Sequence, residues 1–480
     1  MRTGSRLPGG YSIVGSWFFT ATMETMAIAV AKPIGQRIKP KPLWPSREAF
    51  YTDLGLFILV ISGLYSINIV GALPGCEVIL LPMLPVLLVA QGKRAFNRHH
   101  LWFFVLVAGW LLGTLIADAY HDIGLFNREK GVSRVIFFAL DFMALAILIN
   151  NKTRRIVVFA LSYAAYLVIS SFAFSRDFLL QWKFGFSQGS AILAMLASSY
   201  FFARRRYGIC FLISLTWAGL NLHYGFRSQL GIHFVAAVLT LPFLVRERKT
   251  RSGRIVQQGK LGKFVTIVLV LAAAYAANAS IKYAAKLGLF DESTQAKFEG
   301  QESGDYGVLV GGRPETLVAI QAIRDSPLIG HGSFAEGAKY LQMKQDIQYE
   351  HGYSDTDTPE GIGYTTIPTH SHLTLAWVEG GILGGICWIY ILVLVIRAVL
   401  QLSSLRPGMA PLYAYSLTSF LWDILYSPFG SVNRIWAAYY ILLSYFILKS
   451  SETKALQVRY ERVMQMNARH GLRPARRALS

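Results

Sequence analysis

Charged side chains are scarce in this sequence. Only 15% of its 480 residues are Asp, Glu, Lys or Arg, while 53% are hydrophobic and the mean hydropathy is +0.40. A soluble domain usually carries about 25% charged residues. Apolar runs of about 20 residues, the length that crosses a bilayer, recur along the chain. The shortage of charge therefore excludes an ordinary soluble domain and indicates an integral membrane protein.

Cysteine is rarer still. The chain has three cysteines, Cys76, Cys210 and Cys387. All three lie in apolar runs, without a Cys-x-x-Cys or Cys/His spacing. This pattern excludes a disulfide framework and a zinc site, and the thiols are predicted to pack within the membrane.

Acidic residues are also few, with 27 Asp and Glu against 47 Lys and Arg, which gives a net charge of +20. We find no basic face with base-reading or stacking elements, so we predict no nucleic-acid partner. In a membrane protein an excess of positive charge is instead explained by the loops, because cytoplasmic loops are rich in Lys and Arg.

The chain contains twelve apolar runs that are candidate transmembrane helices. They occur at about 54–72, 73–91, 101–120, 133–150, 156–174, 187–203, 207–222, 229–245, 264–280, 373–396, 409–427 and 433–448. With both termini in the cytoplasm, this count puts most Lys and Arg residues on the cytoplasmic side. The predicted fold class is therefore an all-α integral membrane protein of about twelve transmembrane helices.

A long acidic loop separates the ninth and tenth predicted helices. The predicted segments are a basic cytoplasmic N-terminal segment 1–50, helices 1–9 in 51–280, an extracytoplasmic (periplasmic) loop 281–369, helices 10–12 in 370–449 and a basic cytoplasmic tail 450–480. The loop is partly helical, with one helix predicted from Arg313 to Asp325. Pro314 suits its first turn and Ser326-Pro327 ends it.

Some basic residues lie where the positive-inside rule expects none. They are Arg128, Lys130, Arg134, Arg176, Lys183, Arg227 and Arg434. In a bundle these positions can converge on one membrane face, where guanidinium groups bind a diphosphate bidentately. The alternative is that each side chain extends to the lipid head groups.

Five acidic residues lie inside or beside the apolar runs. They are Glu77, Asp118, Asp141, Glu379 and Asp423. Buried carboxylates in lipid are costly and are usually paired or functional. Structural pairing is the simpler interpretation, and an ion- or proton-coupled transporter is the alternative.

Residues 313–385 carry a spaced pattern of motifs. An arginine-led helix begins at Arg313 and is followed by the glycine-rich turn Pro327–Gly332. His370-Ser371 then precedes an apolar helix, Glu379 follows His370 by nine residues, and Gly381-Ile382-Leu383-Gly384 comes next. This pattern resembles the O-antigen ligase/polymerase family of bacterial membrane glycosyltransferases, and the resemblance implies a location in the cytoplasmic (inner) membrane. Ser371 stands where the family usually has Asn, and Phe226 precedes Arg227 where the family usually has Ser.

The resemblance implies transfer of a glycan from an undecaprenyl-diphosphate carrier to an acceptor hydroxyl at the outer face of the membrane, without metal or cofactor. It implies that His370 is the catalytic base, and that Arg313 and Arg227 stabilise the departing diphosphate. The predicted substrate-binding residues are Arg128, Arg134, Arg176, His372, Glu379 and Arg434. His372 also remains a second candidate for the functional imidazole.

The acceptor is left open by the sequence. A glycan, a lipid A-core and another hydroxyl acceptor all fit, so a ligase, a polymerase and a protein O-oligosaccharyltransferase stay possible. Besides the lipid bilayer, polysaccharide export or assembly proteins are candidate partners. A lipid or polysaccharide transporter is the rival function, although no paired repeat between the two halves supports it. Asp355-Thr356-Asp357 has the form of a metal-binding triplet, but such triplets are common by chance in acidic loops, and we predict no metal there.

Overall fold

The computed structural model describes residues 47–69, 71–251, 260–288, 295, 298, 313–350, 365–405 and 407–469. Its main elements up to the long loop are α1 Arg47–Ser62, β1 Ser66–Asn68, β2 Ala72–Pro74, α2 Gly75–Gln91, α3 Leu101–Tyr120, α4 Leu125–Ile149, α5 Thr153–Phe174, α6 Ser187–Ala203, α7 Tyr207–His223, α8 Arg227–Arg251 and α9 Lys260–Lys286. The remaining helices are α10 Pro314–Asp325, α11 Ala338–Glu350, α12 His372–Gln401, α13 Ala410–Tyr426 and α14 Asn433–Arg469.

Every predicted apolar run overlaps a helix in the described part of the chain. The runs correspond to α1–α9 and α12–α14, and the third and sixth runs match α3 and α6 at both ends. Six helical segments among the described residues are long and apolar enough to cross a membrane: Gly75–Arg94, Leu101–Tyr120, Leu125–Ile149, Thr153–Phe174, Gly262–Lys286 and His372–Gln401. The chain is therefore an all-α, membrane-embedded protein.

The first run departs from its predicted form. It was expected to be helical over 54–72, directly before the second run at 73–91. The helix instead ends at Ser62, and Ser66–Asn68 pairs with Ala72–Pro74 as an antiparallel hairpin. Gly75 allows this return because a Cβ there would overlap the carbonyl oxygen of Ser62.

The predicted loop helix is confirmed as α10, with Arg313 at its N-cap, Pro314 in its first turn and Ser326 at its C-cap. A second helix, α11, follows it, and Glu336 forms an isolated bridge with Thr366. The predictions for 1–46, for the triplet Asp355–Asp357 and for 470–480 lie outside the described residues.

Large aromatic side chains fill the centre of the bundle, where α12 packs along α3. Trp110 of α3 and Trp388 of α12 are almost fully buried, with ring centroids 6.2 Å apart. Phe138 of α4 stacks on Trp388 at 5.8 Å, and Phe429, which follows α13, packs on the same indole at 5.1 Å. This aromatic core joins α3, α4 and α12 to the turn between α13 and α14.

Helix α12 is broken at Gly380–Gly381. Gly381 has φ +60° and ψ −153°, a backbone conformation that only glycine adopts readily. A Cβ at Gly381 would overlap the carbonyl oxygen of Leu328, and one at Gly113 of α3 would overlap that of Gly380. These glycines therefore allow α3 to pack closely on α12 and allow the loop to reach the break.

Gly381→Ala is expected to lower the free energy of unfolding by about 1–3 kcal/mol, the usual cost of a sparsely populated backbone conformation. Gly55 is the matched control, because it lies inside α1 with open space around it. Gly55→Ala is expected to leave stability unchanged or raise it by about 0.5–1 kcal/mol. Thermal unfolding in detergent measures both, and equal losses in the two variants would contradict the assignment.

Candidate active site

The segment Gly330–Phe334 attaches the long loop to two helices of the bundle. The amide of Gly332 donates to the carbonyl of Glu379 (3.1 Å), beside the break in α12. The amide and hydroxyl of Ser333 donate to the two carboxylate oxygens of Asp118 on α3, at 2.6 and 2.9 Å. Asp118 therefore holds this segment in place, as its predicted structural pairing requires.

Arg134 and Glu379, both predicted to bind substrate, are paired with each other. The distance from Arg134 Nη1 to Glu379 Oε2 is 2.6 Å, and both side chains are buried. The other carboxylate oxygen accepts from the amide of Phe334 (3.2 Å), and the Arg134 guanidinium lies 4.3 Å from the centroid of the Phe334 ring. Glu379 is thus occupied by contacts that join α4, the break in α12 and the loop.

Arg434 is likewise held in a buried ion pair. Its Nε and Nη2 donate to the two oxygens of Glu77, at 2.6 and 2.5 Å. Glu77 is 1% exposed and Arg434 is 5% exposed, and Asp141 interacts with both from a fully buried position. Arg434 therefore binds the carboxylate of Glu77 with the bidentate geometry that was predicted for a diphosphate.

Arg313 and His370, predicted to act together, lie in one charged cluster where α13 ends. Arg313 caps α10, Glu315 is in its first turn, and Lys344 of α11 forms an ion pair of 3.1 Å with Glu315. His370 lies two residues before α12 and interacts electrostatically with all three side chains. We call Arg313, Glu315, Lys344 and His370 the His370 cluster.

His370 is neutral near pH 7. Its side chain is exposed, and Glu315, Arg313 and Lys344 lie close enough to act on its charge. Partial desolvation lowers the pKa of His370, the carboxylate of Glu315 opposes that shift, and the charges of Arg313 and Lys344 add to it. A neutral imidazole that reaches solvent can accept a proton from a bound hydroxyl.

Glu315 stays ionised within the cluster. Burial alone would raise its pKa, but the charges of Lys344 and His370 outweigh that effect and lower it. An ionised Glu315 stabilises the imidazolium that forms when His370 takes up a proton.

Arg313 is held by the end of α13. Its Nη1 donates to the carbonyl of Tyr426, and its guanidinium lies 5.1 Å from the centroid of the Trp422 ring. Asp423 interacts with it electrostatically. The guanidinium is thus fixed beside His370, with its remaining N–H groups able to face an anion.

The two candidate imidazoles differ in accessibility. His372 is 2% exposed and packs against Trp388 and Phe429, each ring centroid 4.9 Å away. Ser371 between them is the N-cap of α12, since its hydroxyl accepts from the amide of Thr374 at 3.0 Å. Asn and Ser cap helices equally well, which gives a physical reason for Ser371 at this position. Substrate can reach the exposed His370 without rearrangement of the core, unlike His372.

Arg227 is the first residue of α8, as predicted. Nearby Gln229 accepts from the hydroxyl of Tyr415 on α13 at 2.9 Å. Tyr415 lies three turns before the end of α13, where Arg313 binds, or roughly 16 Å at 1.5 Å per residue. Gln229 and Arg313 therefore contact α13 at different depths, and the predicted role of Arg227 stays a prediction.

The last two predicted substrate-binding arginines lie apart from these pairs. Arg128 is half-buried in the first turn of α4. Arg176 is exposed in the turn that follows α5. Within the described ranges, neither has an ion pair. Their predicted role stays a prediction.

Glu315 and Lys344 were missed by sequence reasoning. Glu315 follows Pro314 in a predicted first helical turn, where an acidic residue is ordinary. Lys344 lies in a polar stretch without any motif, so only the packing of α11 on α10 brings it to the site. Among the described residues no group of three His, Cys, Asp or Glu side chains is arranged to hold a metal ion.

A comparison with protein-family models, curated proteins and solved structures finds no match for this chain. Interpretation of the site therefore depends on its own side chains and their geometry.

Proposed function

We propose that this protein is a membrane glycosyltransferase that takes a glycan from an undecaprenyl-diphosphate carrier and transfers or polymerises it onto an acceptor hydroxyl at the outer face of the cytoplasmic membrane. The observation that carries this proposal is the His370 cluster. It places an accessible neutral imidazole beside a fixed guanidinium, at a helix end of a membrane-embedded bundle. Such a transfer needs a base, here the imidazole of His370, and a group that stabilises an anion, here the guanidinium of Arg313.

In the proposed reaction, His370 accepts the proton of the acceptor hydroxyl as its oxygen attacks the anomeric carbon. The bond between that carbon and the diphosphate oxygen breaks, and the anomeric centre is inverted. Negative charge grows on the departing diphosphate, where Arg313 stabilises it. Glu315 stabilises the imidazolium until the proton leaves. Arg227, at the start of α8, would contact the carrier's diphosphate.

The proposed topology has twelve spans, both termini in the cytoplasm and the His370 cluster facing the periplasm. Contacts between helix ends support it. Arg434 and Glu77 begin α14 and α2, which this topology puts on the periplasmic side. Arg154, at the start of α5, which it puts on the cytoplasmic side, pairs at 2.7 Å with Asp53 in the first half of α1. Helices α6, α7 and α13 have 17 residues each, or about 26 Å, close to the thickness of the hydrocarbon core.

A transporter of lipid or polysaccharide is the second candidate, because the break in α12 resembles the discontinuous helices of transporters. Purified protein supplied with a polyprenyl-diphosphate glycan and a glycan acceptor separates the two functions. A transferase releases the carrier diphosphate and lengthens the acceptor, as measured by mass spectrometry. A transporter in vesicles moves the donor intact. Intact donor after prolonged incubation would contradict the proposed transfer.

The pH profile of transfer is expected to depend on the charges around His370. Activity requires the neutral imidazole, so it falls as the pH drops through the pKa of His370. Glu315→Gln removes the charge that raises this pKa and shifts the acidic limb to lower pH. Lys344→Met removes a charge that lowers it and shifts the limb to higher pH.

Initial rates between pH 5 and 8 measure both shifts, and Lys339→Met is the control, because Lys339 of α11 pairs with Asp325 outside the cluster. Shifts in the same direction for both variants would contradict the role of His370 as base.

A further inference from the structure

A second basic site lies beside the His370 cluster. It is a cavity of about 170 Å³ between the β1–β2 hairpin, the start of α4, the loop and the start of α14. The residues that define it are Lys130, Ser133, Arg134, Phe334, Ser431 and Arg434. We call it the Lys130 pocket. Nothing in the proposed transfer step uses it.

Positive charge dominates the lining of this pocket. Arg134 and Arg434 each have one carboxylate partner behind the wall, while Lys130 has no ion pair within the described residues. No acidic side chain lines the cavity among the described residues. Arg434 directs Nε and Nη2 at Glu77, and Nη1 has no hydrogen-bond partner among the described residues. An anion in the pocket can therefore bind the unpaired positive charge of Lys130 and the unused N–H donors of the Arg434 guanidinium.

Lys130 is held in position from three sides. Its ammonium lies 4.3 Å from the centroid of the Phe334 ring and 5.0 Å from that of Phe126. Its aliphatic stem packs over Gly71 of the hairpin. A lysine that only extended to lipid head groups would not need these contacts.

Phe334 is strained in a way that serves this pocket. Its φ is +50°, a left-handed conformation that is uncommon for a bulky residue and clusters at functional sites. The strain places its ring over both Lys130 and Arg134. The amide of Phe334 is meanwhile fixed by Glu379 at 3.2 Å.

The lining also suits a sugar. Phe137, Phe334 and Phe429 offer apolar faces to the C–H groups of a ring, and Ser133 and Ser431 offer hydroxyls. Cations, aromatic faces and hydroxyls in one cavity match a sugar that carries an acidic group better than a bare inorganic anion.

The pocket is close to the His370 cluster along the chain. Tyr426, whose carbonyl binds Arg313, is five residues from Ser431, so the two lie within about 18 Å. Phe429 between them lines the pocket and packs on His372. One extended glycan can therefore occupy both sites.

We propose that the Lys130 pocket binds a negatively charged sugar unit of the glycan substrate, one that bears a carboxylate. The assignment deepens the proposed glycosyltransferase function and rests on it. It makes the pocket a selector of acidic over neutral repeat units, separate from the groups that perform the transfer.

Binding of small probes tests this without a donor or a transfer step, so its result is independent of the proposed reaction. The full-length protein is placed in nanodiscs of phosphatidylcholine, and methyl glucuronide and neutral methyl glucoside are titrated by saturation-transfer NMR. Methyl glucuronide is expected to bind at least about tenfold more tightly than the neutral glycoside, since a charged hydrogen bond contributes that much. Lys130→Ala should remove this preference, while Lys130→Arg keeps it.

Lys93→Ala is the matched control, because Lys93 is exposed at the end of α2, far along the chain from the pocket, and its loss should change nothing. Equal binding of the two glycosides, or a preference that survives Lys130→Ala in a protein of unchanged melting temperature, overturns the proposal.

Inorganic phosphate and phosphatidylglycerol nanodiscs are two further probes in the same experiment. Lys130-dependent binding to either of these, without any to methyl glucuronide, would assign the pocket to a free anion or a lipid head group and also overturn it.

Discussion

His370→Ala is expected to lower glycan transfer by about 10²–10⁴-fold, the usual contribution of a general base. The imidazole is exposed, so its removal leaves no cavity in the core and the protein level and melting temperature should not change. The lowered pKa of His370 keeps the imidazole unprotonated at pH 7, so that it can accept a proton. Alanine has no group that accepts a proton. Initial rates with purified protein and a lipid-diphosphate glycan measure the loss.

His223→Ala is the matched control, since His223 is an exposed histidine at the end of α7 outside the cluster. It should transfer at the normal rate. Full activity in His370→Ala at normal protein levels would remove His370 from the reaction. If His372→Ala alone abolished transfer while the fold was intact, the base would be the buried imidazole instead.

Arg434→Met is expected to lower the free energy of unfolding by about 3–5 kcal/mol, because it leaves a buried carboxylate unpaired. Glu77 is 1% exposed, and it accepts two hydrogen bonds from Arg434, both of which the substitution removes. Thermal unfolding in detergent measures the loss.

Two comparisons make this prediction specific. The double variant Glu77→Gln, Arg434→Met removes both charges and should recover more than half of the loss. Arg154→Met breaks an ion pair in which the arginine is 36% exposed, and should cost less than about 1 kcal/mol. A cost for Arg434→Met as small as that for Arg154→Met would show that the buried pair does not stabilise the fold.

The helices were predictable from the sequence because apolar runs of sufficient length have few other structures available in lipid. The C-terminal ends of α3 and α6 followed from the polar and charged residues that come directly after them, His121-Asp122 and Arg204-Arg205-Arg206. The hairpin after Ser62 did not, because its apolar residues continue the run and only the contact of Gly75 with Ser62 reverses the chain.

The candidate site was partly predictable. The motif spacing named Arg313 and His370, and the structure puts them in one cluster. The sequence marked Arg134, Arg434, Glu77 and Glu379 as exceptional charges but gave no partners. Pairing depends on which helices are neighbours, and neighbouring helices are set by packing rather than by local pattern.

The break at Gly380–Gly381 has a consequence for how the protein meets bilayers of different thickness. The inner part of α12, Ile382–Gln401, is about 30 Å long and matches the hydrocarbon core by itself. The outer part, His372–Glu379, is fixed by α3, α4 and the loop instead of by lipid. A thicker or thinner membrane can therefore tilt the inner part. His370, which precedes the outer part, keeps its distance from Arg313.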